Sequence, residues 1–347
     1  MGTALGTLEE LPQDYRDAMT EAGVAPLWPM MRNVLPHHRP QAVSKPHLWT
    51  YRSVRPLLLQ AGDLTPVEKA ERRVHVLSDP GRGVGAMQAT ASLYAGLQLL
   101  LPGESAPAHR HTPSAARIVV EGEGAYTVVE GEKLPMKEGD LILTPGGTWH
   151  DHGHDGDEPV VWLDALDLPL FYYLEGSYAE EGELQARRNR PDASQVEYRA
   201  SGLVPARRRQ AKASAWPLMR FPWERTKATL KELSAYGGSE AIEVDYVNPE
   251  TGESPLPVMG FTALMLRPGE TVRPPLRSTS AIFHVVSGSG RSTVDGETCA
   301  WTSKDTFSVP VFAEIEHFNS GDEPAFLIYV HDAPLQEKLG YYEERRR

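Results

Sequence analysis

The chain has 347 residues, of which 40% are hydrophobic, and a formal net charge of −12 at pH 7. This length allows two domains with separate cores, and the negative charge argues against nucleic acid as a partner, because phosphate binding needs a basic surface. No stretch approaches the ~20 apolar residues of a membrane span, and residues 1–21 lack a signal-peptide core. Cys299 is the single cysteine, which excludes an internal disulfide and favours a reducing, cytoplasmic location.

The N-terminal region, residues 1–90, is predicted to form a partly helical arm. Thr65-Pro66-Val67-Glu68 has the pattern of a capping box, with proline at the first helical position. This pattern predicts a short helix that ends at Glu71 or Arg72.

Three histidines follow in a pattern that is typical of a metal site on a small β-barrel. His109 and His111 are two residues apart, so on a strand both side chains point to the same face. His150 comes from a later segment that must pair nearby. Neutral imidazoles suit Fe, Zn, Cu and Ni, and three of them on one face leave half of an octahedron open for chemistry.

The chain contains an internal repeat. P-G-E begins both copies, at Pro102 and at Pro268, and the match continues through 140–145 (D-L-I-L-T-P) and 305–310 (D-T-F-S-V-P). Both copies have short β-rich runs with Gly and Pro every ten or so residues, which is typical of a β-sandwich or barrel. The same fold is therefore predicted twice.

The second copy has lost the metal-binding pattern. Pro275, Arg277 and Ile315 occupy the three ligand positions, and none of these side chains is a metal ligand. His317 corresponds to His152, but a lone histidine is more often packed or exposed than a ligand. The second barrel is therefore predicted to be metal-free, with a scaffolding or interface role.

The segment between the copies, residues 176–255, is predicted to be a linker with one helix. The helix runs over Glu224–Tyr236, because Gly237-Gly238 is a C-cap signal. The charged stretch 175–209 is interpreted as a solvated connection, and the basic tail 341–347 as solvated.

The two copies resemble the cupin family, so the chain is expected to be a bicupin. Its first cupin, at 91–175, is expected to be metal-binding and catalytic, and its second cupin, at 256–340, to be metal-free. The resemblance implies a mainly β fold of two β-barrel jelly-roll domains. Most cupins carry a glutamate ligand within the stretch that reads T-P-S-A-A here (112–116), so the site is expected to contain three histidines and no carboxylate. The residues that match the two cupin motifs are Gly103, His109, His111, Gly122, Gly139, Pro145, Gly147 and His150.

Within the cupins, the chain is similar to gentisate 1,2-dioxygenases and their salicylate-cleaving relatives over nearly its whole length. This resemblance implies a ring-cleaving, non-haem Fe(II) enzyme, commonly a homotetramer, that acts on a small aromatic hydroxy-carboxylate with O2. The matching segments are Pro46–Pro56, Glu71–Gly81, Ser92–Glu104, Ala106–His111 and Trp162–Leu170.

The residues support this chemistry. Three facial histidines leave about three positions on an octahedral metal, two for the carboxylate and hydroxyl of a 2-hydroxybenzoate and one for dioxygen. Cleavage between the carboxyl-bearing and hydroxyl-bearing carbons of gentisate would give maleylpyruvate.

Several residues are expected to bind the substrate, by the same resemblance. Arg117 lies six residues beyond His111 and is assigned to the substrate carboxylate or to an oxygen intermediate, since its planar fork suits a carboxylate. Of Arg72 and Arg73, one is expected to meet the substrate and the other to form a salt bridge with an acid such as Glu71. Gln98 is expected to position a ring hydroxyl or dioxygen.

A second group is expected to support proton transfer and shape the pocket. His152 shares a face with His150 and is assigned a proton-shuttling role. Asp164 is expected to orient His152 or a ligand's second nitrogen. Tyr94 is expected to line the pocket, and His154 to sit on a solvated turn.

The sequence leaves the substrate open. Gly146-Gly147 replaces a bulkier pair in many relatives, and His75 adds a polar group to the arm. Gentisate, 5-nitrosalicylate, salicylate and 1-hydroxy-2-naphthoate all remain candidates. The rival classes are a metal cupin isomerase or decarboxylase, which would act without oxygen, and a non-enzymatic storage or sensing bicupin.

Overall fold

A computed structural model describes residues 5–183, 191–200, 203, 206, 216–238 and 241–345. The chain divides into two compact units, Met1–Val43 and Ser44–Arg347. The first unit contains helices α1 (Gln13–Glu21) and α2 (Met31–Val34). Both barrels lie in the second unit, and the predicted boundaries at 90, 175 and 255 stay a prediction.

The first barrel consists of two antiparallel sheets. The six-stranded sheet has the order β12-β8-β5-β10-β3-β2, and the five-stranded sheet has the order β11-β4-β9-β6-β7. Their strands are β2 (Arg73–Val76), β3 (Tyr94–Leu100), β4 (Ser105–His111), β5 (Ala115–Glu121), β6 (Ala125–Val129), β7 (Glu132–Pro135), β8 (Leu141–Thr144), β9 (His150–His154), β10 (Val160–Leu166), β11 (Ala179–Glu181) and β12 (Arg220–Phe221).

The second barrel repeats this design, so the prediction of a mainly β, two-barrel fold is confirmed. Its six-stranded sheet has the order β1-β20-β17-β22-β14-β13, its four-stranded sheet the order β15-β21-β18-β19, and β16 pairs with β23. The strands are β1 (His47–Trp49), β13 (Ile242–Asp245), β14 (Gly260–Leu266), β15 (Thr271–Val272), β16 (Leu276–Arg277), β17 (Ala281–Ser287), β18 (Ser289–Val294), β19 (Glu297–Thr302), β20 (Thr306–Val309), β21 (Ile315–Asn319), β22 (Ala325–His331) and β23 (Glu344–Arg345).

Alternation along the strands separates three cores. Val119 and Trp162 point into the first barrel, and Phe283 and Phe307 into the second. The residues between them on the strands, such as Ile118, face outward and join one shared core between the two six-stranded sheets. Helices α3 and α7 also contribute side chains to this shared core. The helices of the second unit are α3 (Tyr51–Leu64), α4 (Val67–Ala70), α5 (Leu168–Tyr173), α6 (Ala193–Glu197), α7 (Trp223–Tyr236) and α8 (Ala333–Leu339).

Two helix predictions have different outcomes. The helix at 224–236 is confirmed as α7. The helix predicted to start at Thr65 is present only as α4, without a side-chain cap, because Thr65 instead ends the longer helix α3. Helix α3 was not predicted, since Pro56 and Gly62 argue against a helix; burial of Leu58 in the shared core overrides that preference.

Part of the linker is docked on the first barrel, so its description as a solvated connection is wrong for residues 192–195. The backbone N–H and the hydroxyl of Ser194 donate to Glu132 Oε1 at 2.8 and 2.7 Å. Asp192 binds Arg220, whose guanidinium also binds Asp140. The arginines expected to be solvated at 187–190 and 207–209, and the last two residues of the basic tail, lie outside the described residues.

Candidate metal centre and pocket

The three predicted metal ligands come together on two neighbouring strands. His109 on β4 pairs directly with His150 on β9, and a bulge precedes His109 on β4. The ring centroids of His109 and His150 are 4.0 Å apart, and the ring of His111 lies 5.2 and 4.9 Å from them. One nitrogen from each ring lies within 4.8 Å of the other two, which is close enough for one ion to bind all three.

Hydrogen bonds indicate which nitrogens face the metal position. His111 Nδ1 lies 2.7 Å from the Pro113 carbonyl oxygen, and His150 Nδ1 lies 3.0 Å from that of Thr148. A carbonyl oxygen only accepts, so each Nδ1 carries the proton and each Nε2 keeps a lone pair. His150 Nε2 is buried and has no hydrogen-bond partner in the described part of the chain. A bound metal ion would satisfy this nitrogen, so the residues fit a metal.

The surroundings keep the ligands neutral. Burial, Arg72, His111 and Arg117 lower the pKa of His109 to about 2, and burial lowers the pKa of His111 to about 4. Burial and Arg117 also hold the pKa of His150 well below its usual value. Neutral imidazole is the form that binds metal. No other group of three potential ligands occurs among the described residues.

The sheet opposite the histidines carries a buried ion pair. Arg117 on β5 and Asp164 on β10 are directly opposite in register, with Arg117 Nε 3.2 Å from Asp164 Oδ1. Trp162 Nε1 donates to Asp164 Oδ2 at 3.0 Å, and Thr144 contacts the guanidinium. The expected contact of Asp164 with His152 or with a ligand's second nitrogen is therefore wrong: in register Asp164 faces Arg117, and it orients that guanidinium. The second nitrogens of His111 and His150 bond backbone carbonyls instead.

Of the two arginines in the arm, Arg72 is the one at the site. Its Nη2 donates to the Pro107 carbonyl at 3.1 Å and also contacts the His109 ring. Burial, followed by the charge of Arg117, lowers the pKa of Arg72 to about 10. Two guanidiniums and one carboxylate leave this side of the pocket positive, which favours an anionic ligand.

Arg73 does not join them. It is the first residue of β2, and its guanidinium contacts Glu104 and the carbonyls of Gly62 and Thr65. Arg72 precedes the strand, and its guanidinium contacts Pro107 and His109 instead, so the two side chains diverge. Arg73 is thus in a salt bridge, as one of the pair was expected to be, but its partner is Glu104 rather than Glu71.

Strand β3 contributes the predicted pocket residues. Tyr94 and Gln98 are buried, and they share a face with Gly96, which is opposite Asp164 in register. Burial and the charge of Asp164 raise the pKa of the Tyr94 phenol. His75 pairs with Leu97 and therefore faces away from this pocket, so it does not supply the polar contact that the sequence analysis considered.

His152 is fully buried next to His150. Its Nδ1 lies 2.9 Å from Thr127 Oγ1, its Nε2 has no hydrogen-bond partner within the described residues, and its ring is 5.9 Å from that of His150. His154 was expected on a solvated turn, but it lies buried in β9, where Nε2 bonds the Glu158 carbonyl at 2.6 Å.

Four pocket residues were missed by the sequence analysis. They hold or contact the predicted side chains. The two-residue alternation that places Arg117 and His152 inside the barrel also places residues on the neighbouring strands there, once the strand pairing is known. A Cβ at Gly96 would lie 2.5 Å from the Tyr94 hydroxyl, so this glycine gives the phenol its space. The four are Gly96, Thr127, Thr144 and Trp162.

Two barrels of this kind, of which the first holds a three-histidine centre, define a metal-binding bicupin. The cupin domain family matches residues 96–166. The chain is 50% identical to gentisate 1,2-dioxygenase from Ralstonia sp over 99% of this chain and 97% of that protein. It is 36% identical to 5-aminosalicylate 1,2-dioxygenase from Comamonas sp, over 94% and 88%. The crystal structure of salicylate 1,2-dioxygenase from Pseudoaminobacter salicylatoxidans with gentisate superposes with a TM-score of 0.89 at 30% identity, covering 98% and 96%.

The chain therefore belongs to the gentisate and salicylate 1,2-dioxygenase family of ring-cleaving dioxygenases. The resemblance expected from the sequence is confirmed. None of the helices within the described residues is long and apolar enough to cross a bilayer.

Proposed function

We propose that this enzyme uses Fe(II) and O2 to cleave gentisate, or a 5-substituted salicylate, between the carboxyl-bearing and hydroxyl-bearing ring carbons. The observation that carries the proposal is the three-histidine centre facing a buried guanidinium, in a chain half identical to a gentisate 1,2-dioxygenase. Gentisate is the first candidate for this reason.

His109, His111 and His150 would hold the metal through one nitrogen each. Three neutral imidazoles without a carboxylate suit a divalent first-row metal, and they leave the remaining positions for substrate and dioxygen. When bound, Fe(II) would supply the electron transfer between ring and dioxygen that ring cleavage needs.

Arg117 would bind the substrate carboxylate. It is almost fully buried, and its partners Asp164 and Thr144 contact only part of its five-donor guanidinium. Arg72 would add a second positive charge that attracts the anion into the pocket. Arg73 is not part of this proposal, because Glu104 holds it elsewhere.

His152 would exchange a proton with the substrate hydroxyl through Nε2, while Thr127 holds Nδ1 and fixes the ring. Gln98 and Tyr94 would line the ring, with the amide of Gln98 placed to bond a ring hydroxyl or dioxygen. Asp164 would act through Arg117, whose orientation it fixes.

The family resemblance also supports a homo-oligomer, with a tetramer as the expected state. Tyr172, Tyr173 and Leu174 leave 78%, 84% and 65% of their surface exposed, and such a run of apolar side chains is typical of a surface between subunits. Light scattering after gel filtration would measure the assembly size.

Oxygen uptake tests the proposal. Protein reconstituted with Fe(II) under argon would be offered gentisate, salicylate, 5-aminosalicylate, 5-nitrosalicylate and 1-hydroxy-2-naphthoate. We expect one O2 consumed per gentisate, with loss of the aromatic absorbance. No uptake with any substrate, in protein shown to contain iron, would overturn the proposal in favour of an oxygen-independent cupin isomerase or decarboxylase.

A further inference from the structure

The second barrel encloses a cavity of about 280 Å³ that none of the chemistry above uses. This volume is near the lower end of the ~300–1,000 Å³ that is usual for small-molecule sites, and it is suitable for a single-ring ligand. The cavity extends from Phe283 and His317 at the bottom to Arg277 at the mouth. Arg277 stands at the repeat position of the metal ligand His111.

His317 presents an unused polar atom to this cavity. The ring is fully buried, and its Nε2 has no hydrogen-bond partner among the described residues. Its Nδ1 lies 2.8 Å from Ser292 Oγ, which accepts a hydrogen bond from Trp301 Nε1 at 2.8 Å. With the indole as donor, the Ser292 hydroxyl proton is free to be donated to His317 Nδ1, which leaves an Nε2–H donor facing the cavity.

Arg277 supplies a cation at the mouth. Its Nε bonds Glu344 at 3.2 Å, and its Nη1 lies 3.4 Å from the Tyr329 hydroxyl, which itself donates to Glu243 Oε1 at 3.0 Å. These contacts use Nε and Nη1 of Arg277, and Nη2 makes no hydrogen bond to the described residues. The guanidinium therefore keeps donors for a ligand carboxylate.

The wall between these two polar groups is aromatic. The Phe283 ring stacks on Tyr329 with centroids 4.6 Å apart and on Phe307 at 5.0 Å. Phe283 occupies the position that corresponds to Arg117 in the first barrel, so the second barrel has an apolar ring surface where the first has its cation.

The acidic groups of the cavity do not exclude an anion. Burial raises the pKa of Glu243, and this residue is already bonded by Tyr329. Asp245 and Glu337 also line the cavity, but both are exposed at its rim, where water screens their charge.

We propose that this cavity is a second ligand site that binds a monocyclic aromatic hydroxy acid, with the carboxylate on Arg277, the ring on Phe283 and Tyr329, and a ring oxygen accepting from His317 Nε2. The site requires no metal and no turnover. It is argued from the second barrel alone and is independent of the reaction proposed for the first.

Calorimetric titration of the full-length protein with salicylate under argon tests this site, since no ring cleavage occurs without oxygen. The decisive variant is Arg277→Gln, and Arg273→Gln is the matched control, because Arg273 is 59% exposed and pairs with Glu316 outside the cavity. His317→Gln provides a second test that keeps a donor but changes its position. Thermal melting shows whether each variant is folded.

We expect Arg277→Gln to weaken one class of sites by about tenfold or more, because a charge-assisted, two-point contact is lost. Oxygen uptake by this variant and the titration of Arg273→Gln should match the wild type. A titration that is the same for Arg277→Gln and the wild type, in folded protein, overturns the second site. If the first barrel did not bind aromatic acids, oxygen uptake would be absent, but the change caused by Arg277→Gln would remain.

Discussion

At the scale of single residues, Arg117 and Asp164 depend on each other. Both are buried, and each is the nearest opposite charge to the other. Burial raises the pKa of Asp164, and the charge of Arg117 counteracts that rise. A change at either residue therefore alters both the charge and the orientation of the group that faces the histidines.

Replacing Arg117 with Gln should reduce kcat/KM by about 100-fold or more. This factor corresponds to the ~3 kcal/mol that is lost with a charge-assisted contact to the substrate. The metal ligands are untouched, so bound iron should remain. Oxygen-uptake kinetics and metal analysis would measure both. Arg110→Gln is the control, since Arg110 points away on the same strand as His109 and packs on Trp149. Equal losses for the two variants would contradict the role of Arg117.

His152 and His111 should differ in what their loss removes. His111→Ala should abolish iron binding and turnover together. His152→Ala should keep iron and slow turnover, because His152 is not one of the three clustered ligands and its Nδ1 is held by Thr127. Elemental analysis beside single-turnover rates would separate the two effects. Iron loss from His152→Ala would show that His152 belongs to the metal centre.

The sequence predicted the three metal ligands because two-residue alternation and cupin spacing determine them locally. It did not distinguish Arg72 from Arg73, since that choice depends on where Glu104 lies in space. The partner of Asp164 likewise depends on the register of β10 with β5, which spacing along the chain does not determine.

At the scale of elements, the turn that precedes β8 holds the start of α7. Asp140 Oδ1 accepts from the backbone N–H of Trp223 at 2.8 Å, and a Cβ at Gly139 would lie 2.4 Å from the Trp223 ring. Gly139 also has a φ of +84°, in the left-handed region. Helix and turn therefore fit only when position 139 has no side chain.

Gly139→Ala should lower the free energy of unfolding by about 2–5 kcal/mol, since the left-handed backbone costs about 1–2 kcal/mol and the overlap with Trp223 about 1–3 kcal/mol. Gly103→Ala is the control: Gly103 has a φ of +76°, but nothing lies within 4 Å of a Cβ there. Chemical denaturation would measure both. Equal losses would show that Trp223 moves freely away.

The turn that leads into α5 should make stability depend on pH. Burial raises the pKa of Asp167 from 3.8 to about 7, although the Ser114 N–H donates to this carboxylate at 2.7 Å. The folded protein thus favours the protonated form. The contribution of protonated Asp167 to stability is complete below about pH 4 and is lost as the pH rises through 7.

Asp167→Asn removes this titration. Between pH 4 and pH 8 the wild type should lose up to about 4 kcal/mol of stability relative to the Asn variant, following 1.36 kcal/mol for each pKa unit. Unfolding free energies at a series of pH values would measure the difference. A constant difference would show that Asp167 has an ordinary pKa.

Elements were predictable where their signals are local. The Gly-Gly stop of α7 and the alternating strands lie in the sequence itself, whereas α3 forms despite Pro56 because its apolar face meets the shared core. The docking of Ser194 on Glu132 was also hidden, since a short polar stretch has the same composition whether solvated or packed.

At the scale of the whole molecule, the two barrels share one core. Leu58 of α3 is fully buried there, together with outward-facing side chains of both six-stranded sheets. Leu58→Ala should therefore cost about 2–5 kcal/mol and lower the melting temperature of a single transition. Calorimetry would measure this, with Leu64→Ala as the control because Leu64 is 73% exposed. Two separate transitions would contradict a shared core.

The N-terminal arm contacts both barrels, and its first strand joins the barrel that comes second in the chain. Strand β1 completes the sheet of the second barrel beside β20, while α3, which begins two residues later, packs on the first barrel. The backbone N–H of Tyr51 donates to Asp305 of the second barrel at 2.7 Å. A fragment starting at residue 241 would thus have an uncovered β20 edge, which is a template for aggregation. Although the second half repeats the first in sequence, we therefore expect it to need residues 47–49, from far earlier in the chain, to complete its six-stranded sheet.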